Sequence, residues 1–121
     1  MTEAKMGDDP DRLLHTLREA FRAEICSDQP DLNLRQLAVL LVVYSTDELQ
    51  TVRGLAAYLH IHKSAVGRAL NRFKETDVAY REVDLQDRRS VFVGRTVRGA
   101  AMVEGLGTAM VEAANRLGEA P

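Results

Sequence analysis

The chain has almost no cysteine, no long apolar segment and none of the short motifs that mark common enzymes. Its single cysteine, Cys26, excludes an intrachain disulfide framework and a zinc site built from cysteines alone. The longest apolar run, Leu37 to Tyr44, is far shorter than the ~20 residues that cross a bilayer. The sequence also lacks a nucleophile elbow, a phosphate-binding loop and a His-Glu metal motif. We therefore expect no enzymatic activity, no cofactor and no membrane association.

The length and the N-terminal sequence restrict the class of protein further. With 121 residues, 45% hydrophobic and 28% charged, the chain is long enough for one domain, residues 1–121, with a modest core. That length is short for most free-standing α/β or barrel enzymes. The first nine residues are polar and acidic and lack the apolar segment of a secretory signal, so we expect a cytoplasmic protein.

Charge is distributed unevenly along the chain. The formal net charge is −2, which by itself gives no sign of a polyanionic partner. Residues 51–98, however, contain ten basic and five acidic side chains and carry +5, whereas the remainder carries −7. A basic segment of this kind indicates binding of a nucleic acid or another anion, although an ordinary solvated surface would have the same composition.

Apolar spacing predicts four helices in the first two thirds of the chain. Asp9 and Pro10 open a helix over 10–26, and Asn33 caps a second over 34–45. The second segment is apolar all round and would also suit a buried strand, but its polar start and its cap favour a helix. Thr51 caps a short third helix, and a fourth over 63–76 has a basic outer face. Two short helices joined by a turn, the second of them basic, are typical of a helix-turn-helix.

A hairpin and a last helix complete the predicted order of elements. Residues 78–83 and 90–93 have strand character and flank a polar loop, so they predict a β-hairpin. Thr96 caps a helix over 97–117, whose apolar residues step by three and four as in a helix–helix seam. The predicted fold class is mainly α with a small β-hairpin.

The segment from Leu34 to Gly99 resembles the winged helix-turn-helix of the MarR family of bacterial transcriptional regulators. The resemblance lies in the order and spacing of four pieces: Thr51–Leu59, Lys63–Phe73, Asp87-Arg88-Arg89-Ser90 and Thr96-Val97-Arg98-Gly99. It implies a DNA-binding core over 34–95, with helices 10–26 and 97–117 forming a dimerisation region. It also implies a homodimer that binds a pseudo-palindromic site on double-stranded DNA.

The matched positions have side chains that suit these implied roles. Arg68 and Asn71 are hydrogen-bonding types that fit guanine and adenine edges in the major groove. By resemblance, Arg89 enters the minor groove, Asp87 orients it and Arg88 lies near the backbone. The predicted DNA-binding residues are Lys63, Ser64, Gly67, Arg68, Asn71, Arg72, Asp87, Arg88 and Arg89, of which Lys63 and Arg72 are assigned to phosphates. The predicted dimer interface contains Leu14, Leu17, Phe21, Val103, Leu106, Met110 and Leu117.

Three features depart from the family pattern. Asp77 stands where the family commonly has glycine after the recognition helix, and Gly94-Arg95 precede Thr96 where an aliphatic residue is usual. Only about 25 residues follow Thr96, where relatives often have two further helices. We therefore expect a small dimerisation region, and the sequence leaves open whether a cleft for a small-molecule effector is kept.

Other interpretations compete with a DNA-binding regulator. A winged helix can serve as a protein-interaction module or anti-regulator that does not itself bind DNA, and the acidic remainder of the chain would suit that role. Both apolar stripes could also pack within one monomer. Cys26 as a redox switch lacks basic surroundings, and His60 with His62 lack the further ligands of a metal site.

Overall fold

The computed structural model describes residues 9–119 and is mainly helical, with one antiparallel β-hairpin in that part of the chain. Its elements are α1 (Pro10–Cys26), α2 (Leu34–Ser45), α3 (Val52–Leu59), α4 (Lys63–Thr76), β1 (Ala79–Val83), β2 (Val91–Arg95) and α5 (Val97–Glu119). The predicted fold class, a winged helix-turn-helix with a helix at each end, is confirmed. Both strands begin one residue later than predicted, and β2 extends to Arg95 because Ala79 pairs with Arg95. No helix within residues 9–119 is long and apolar enough to cross a bilayer.

Side chains just before α2, α3 and α5 fix where these helices begin. The Asn33 side chain accepts a hydrogen bond from the Gln36 N–H at 2.9 Å, and the Gln36 side chain accepts one from the Asn33 N–H at 3.0 Å. The Thr51 and Thr96 hydroxyl oxygens accept hydrogen bonds from N–H groups three residues later, each at 2.9 Å. Each cap satisfies an N–H that the first turn of a helix leaves without a partner. The ambiguous apolar segment is therefore a helix, as its cap predicted.

The described residues form two compact units, residues 30–103 and residues 9–29 together with 104–119. The larger unit has a core in which α4 contributes the largest buried side chain, Phe73. In it the apolar face of α4 packs with α2, α3 and the hairpin, which leaves the opposite face of α4 in solvent. The other large side chains that are fully buried in this core are Val39, Leu40, Val43, Leu55, Val66, Leu70, Val78 and Val93.

The smaller unit joins α1 to the second part of α5. The Arg12 guanidinium donates to the Ala114 carbonyl at 3.4 Å, and the Thr16 hydroxyl donates to the Arg12 carbonyl at 3.0 Å. Ala20, Leu106 and Ala113 are buried. Much of the apolar stripe of α1 remains exposed, since Leu14 is 62% and Ile25 is 77% accessible. Leu17, Phe21 and Met110 are each 37% accessible, whereas Val103 and Leu117 are partly buried.

Arg95 and Tyr44 attach the hairpin to α2. The Arg95 Nε donates to the Val43 carbonyl at 3.0 Å, a second guanidinium nitrogen contacts the Thr46 carbonyl, and the guanidinium carbon lies 5.6 Å from the Tyr44 ring centroid. Arg95 thus brings a positive charge to the negative end of α2, which has no basic residue in its last turn. Gly94 leaves room for the Tyr80 ring, which occupies the space that a Cβ would need. The departure from an aliphatic residue at this place therefore has a structural reason.

Candidate nucleic-acid interface

The outward face of α4 is polar, basic and free of bulky apolar groups. Lys63, Ser64, Arg68 and Asn71 are exposed, and Gly67 between them is partly buried. The opposite face carries the buried residues of the core, so the orientation of α4 follows from the burial of its apolar side. This arrangement presents a small, hydrogen-bonding surface of the kind that fits a major groove about 12 Å wide.

The first turn of α4 presents a positive helix end to solvent. His62 is its N-cap residue, and the His62 side chain makes no capping hydrogen bond. The His62 carbonyl accepts from the N–H groups of Ala65 and Val66, at 3.0 and 3.3 Å. The partial positive charge of this helix end lies beside the exposed Lys63 ammonium. Such a helix end favours anions, phosphate groups among them.

Asp87 shapes the tip of the hairpin. Its carboxylate accepts hydrogen bonds from the Arg89 N–H at 3.1 Å and from the Ser90 hydroxyl at 3.2 Å, and its carbonyl accepts from the Ser90 N–H at 2.9 Å. These three bonds hold a tight turn in which Arg88 and Arg89 are both exposed. The resemblance implied that Asp87 orients Arg89. In the structure Asp87 contacts Arg89 through the backbone N–H of that residue.

A cleft of about 310 Å³ lies between the hairpin and the helices α3 and α4. Four cationic side chains from four different parts of the larger unit line it: Arg53, Lys63, Arg81 and Arg89. The hairpin reaches α3 because Thr51 forms a bridge with Phe92, and the Val93 N–H donates to the Gln50 carbonyl at 2.9 Å. Among residues 9–119, no acidic side chain lines this cleft. Because like charges repel, four converging cations indicate a site that takes an anion.

Arg53 and Arg81 are not among the residues that the sequence assigns to the interface. Arg53 is the second residue of α3, and Arg81 is in the middle of β1. Each is an isolated basic residue in its own segment, and only the packing of α3 and β1 against α4 brings them to the same cleft as Lys63. The excess of basic residues over 51–98 was the one signal that could have included them.

Arg72 occupies a different environment from the one predicted for it. Its guanidinium donates to the Asp31 carbonyl through Nε at 3.3 Å and Nη2 at 3.1 Å, and Nη1 lies 3.4 Å from the Glu75 carboxylate. The side chain is partly buried. Arg72 thus fastens α4 to the segment before α2, and its contact with a phosphate stays a prediction.

The alternative sites receive little support. Cys26 is exposed in the last turn of α1, which contains no basic residue. Among residues 9–119, no three histidine, cysteine or carboxylate side chains come together in a way that could hold a metal ion. His60 adopts a left-handed conformation, with φ of 55°, and ends α3 as part of the turn before α4.

Comparison with known proteins decides the family. A family model described as "MarR family" matches residues 31–90, from the segment before α2 to the tip of the hairpin, including every predicted DNA-binding residue. The chain belongs to the MarR family. This is a family of winged helix-turn-helix transcriptional regulators and not of enzymes, so the expectation of a non-enzymatic protein is confirmed. No curated protein sequence matches the chain.

Several solved structures share the fold at low sequence identity. A variant of MepR from S. aureus, bound to an oligodeoxyribonucleotide, is 19% identical with a TM-score of 0.72, over 92% of this chain and 77% of that one. Reduced AbfR bound to DNA is 18% identical with a TM-score of 0.63, over 84% and 67%. The YusO protein from Bacillus subtilis is 17% identical with a TM-score of 0.67, over 88% and 70%.

Proposed function

We propose that this MarR-family chain is a cytoplasmic transcriptional regulator that binds a pseudo-palindromic DNA site as a homodimer. The observation that carries the proposal is the continuous basic surface made by the outward face of α4, its uncapped N-terminus and the four-cation cleft beside the hairpin. DNA has a phosphate about every 1.7 Å of axis and suits an extended cationic surface of this kind. Similar structures of MepR and AbfR hold DNA, which supports the same ligand here.

Each part of this surface has a proposed role on DNA. Arg68 and Asn71 hydrogen-bond to base edges in the major groove, with Ser64 and Gly67 allowing close approach of the helix. Lys63 binds phosphate together with the helix end beside it. At the tip of the hairpin, Arg89 enters the minor groove, where a narrow A·T-rich groove has the most negative potential.

The geometry of a two-fold symmetric DNA site and the exposed apolar surface of α1 support the proposed dimer. A two-fold symmetric pair of α4 helices reads two half-sites about 34–36 Å apart, whereas one winged helix makes few phosphate contacts. The apolar stripe of α1 is largely exposed in the single chain, with Leu14 62% accessible. Burial of such a stripe against a second copy would remove its apolar surface from water.

Fluorescence anisotropy with a labelled duplex from upstream of the protein's own gene, and with a scrambled duplex, tests the proposal. At about 50 and 200 mM salt we expect tighter binding to the upstream duplex and a steep salt dependence, with a slope of about 0.9 per phosphate contacted. Arg68→Ala should weaken specific binding by about 1–3 kcal/mol. Arg98→Ala is the matched control, because Arg98 is exposed at the start of α5 and does not line the cleft.

Two outcomes have different meanings in this experiment. Equal, weak binding to both duplexes would place the specific site elsewhere in the genome, and selection from random duplexes would then find it. An absence of binding to any duplex at low salt would overturn the proposal in favour of a protein-interaction module.

A further inference from the structure

Arg81 joins the hairpin directly to the helix that carries the predicted base-reading residues. Its Nη2 donates a hydrogen bond to the Gly67 carbonyl oxygen at 2.9 Å, across fourteen residues of sequence. Gly67 lies in the second turn of α4, one residue before Arg68 and four before Asn71. Among the described residues, it is the only side-chain hydrogen bond between a strand of the hairpin and α4.

The local geometry allows this bond without disturbing α4. A carbonyl oxygen has two lone pairs, so the Gly67 carbonyl can accept from the helical N–H four residues later and from Arg81 as well. A Cβ built on Gly67 would lie 3.8 Å from the Arg81 Nη2, which is an ordinary van der Waals distance, so the guanidinium lies beside this position of the helix.

We propose that Arg81 is a positioning residue, which fixes the angle between the hairpin and α4 so that Arg89 and the α4 face engage DNA together. Apart from this bond, the hairpin packs against α4 through buried apolar side chains and is bonded elsewhere through Arg95 and the Thr51–Phe92 bridge. The inference rests on the proposed function, because the consequence of the bond is simultaneous contact with two grooves. Arg81 thereby acts on DNA binding indirectly, by positioning the hairpin. Its location in a cationic cleft would by itself suggest only direct contact with an anion.

Hydrogen exchange in the absence of DNA tests the structural part of the proposal. In Arg81→Met the apolar stem stays and the donor is lost, so we expect the amides of residues 79–95 to exchange several-fold faster. The amides of Leu40 and Val43 in the buried part of α2 should not change, which would separate loosening of the hairpin from global destabilisation. Arg98→Met, which removes an exposed arginine outside the cleft, should leave both sets of amides unchanged. Unchanged exchange of residues 79–95 in Arg81→Met would overturn the proposal.

A double-mutant cycle on DNA tests the functional part. If Arg81 positions the hairpin, Arg89→Ala should weaken DNA binding at least about threefold less in the Arg81→Met background than in the wild-type protein, since residues in one coupled unit are not additive. Arg81→Lys, which keeps a donor, should restore part of the affinity and part of the coupling. Additive losses from Arg81→Met and Arg89→Ala would show that Arg81 contacts a phosphate independently and would overturn the positioning role. If the wild-type protein bound no DNA, the proposed function would fail, while hydrogen exchange would still decide whether Arg81 holds the hairpin to α4.

Discussion

At the scale of single residues, the Tyr44 hydroxyl is the point where three segments of the larger unit meet. It donates to the Val78 carbonyl at 2.6 Å and accepts from the Thr96 N–H at 3.0 Å. These bonds join the end of α2, the start of the hairpin and the start of α5. Gly99 makes this approach possible, because the Tyr44 hydroxyl and the Val78 carbonyl occupy the space where a Cβ would lie.

Gly99→Ala should therefore be strongly destabilising. The added methyl group would displace the Tyr44 hydroxyl and leave buried polar groups without partners, which costs about 3 kcal/mol of unfolding free energy. Gly107→Ala in the same helix is the control, since a Cβ there meets no atom within 4 Å. That change should stabilise by about 0.5–1 kcal/mol because alanine favours a helix. Urea unfolding of both variants measures the difference, and equal midpoints would contradict the role of Gly99.

Glu24 is a second residue whose environment has a measurable consequence. One of its carboxylate oxygens is buried and has no hydrogen-bond partner in the described residues, and burial raises the pKa of the carboxyl above its ordinary value of 4.5. A raised pKa means that the folded state binds the proton more tightly than the unfolded state. The tighter binding of this proton stabilises the folded state. This contribution of Glu24 to the free energy of unfolding is fully present below pH 4.5 and is lost as the pH rises through the folded-state pKa.

Glu24→Gln should remove this dependence. The variant should be more stable than the wild-type protein at neutral pH, and its advantage should shrink as the pH falls towards 4.5. Urea midpoints measured from pH 4.5 to 7 give the comparison, and Glu112→Gln at an exposed position of α5 controls for loss of a charge. If the wild-type protein had the higher urea midpoint at neutral pH, the Glu24 carboxylate would have an ionic partner instead.

At the scale of elements, the end of α4 contains the clearest local conflict in the chain. Asp77 takes a left-handed conformation, with φ of 59° and ψ of 40°, and its N–H bonds back to the Phe73 and Lys74 carbonyls. Residues with a side chain pay a steric cost in this region, and a carboxylate at a helix C-terminus also meets the negative end of the helix dipole. The family's usual glycine avoids both costs.

Asp77→Gly should stabilise the protein by about 0.5–1 kcal/mol. Asp11→Gly is a matched change of the opposite sign, since Asp11 lies in the first turn of α1, where a carboxylate is favourable and glycine is not. Thermal unfolding of the two variants should show shifts in opposite directions. A loss of stability in Asp77→Gly would mean that its carboxylate makes a contact essential to the turn.

The elements themselves were predictable because their signals are local. Asn33, Thr51 and Thr96 each act within three residues, so the starts of α2, α3 and α5 could be read from the sequence. The cleft could not be predicted from the sequence, because Arg53 and Arg81 lie on separate elements and only tertiary packing brings them together. The environment of Arg72 was also hidden, since its partner is a backbone carbonyl 41 residues away.

At the scale of the whole molecule, the net charge of −2 hides a division between a basic middle segment of +5 and a remainder of −7. A protein with little net charge has weak long-range attraction to DNA, so in the proposed mode of binding the affinity comes from the local surface of α4 and the hairpin. Non-specific affinity should consequently be low and steeply dependent on salt. In the proposed homodimer, two such surfaces would bind together at the spacing of two half-sites, and association of the two chains would be part of recognition.

Leu14→Glu should break this association and with it specific DNA binding. Leu14 is 62% accessible on the apolar stripe of α1, so glutamate costs the single chain little but would bring a charge into a buried interface. Sedimentation equilibrium should give twice the mass of the 13.4 kDa chain for the wild-type protein and the mass of one chain for the variant. Leu34→Glu is the matched control, because Leu34 is 82% accessible at the first position of α2, where a carboxylate favours the helix. A dimeric Leu14→Glu protein, or a monomeric wild-type protein that still binds its site tightly, would show that the α1 stripe is not the dimer interface.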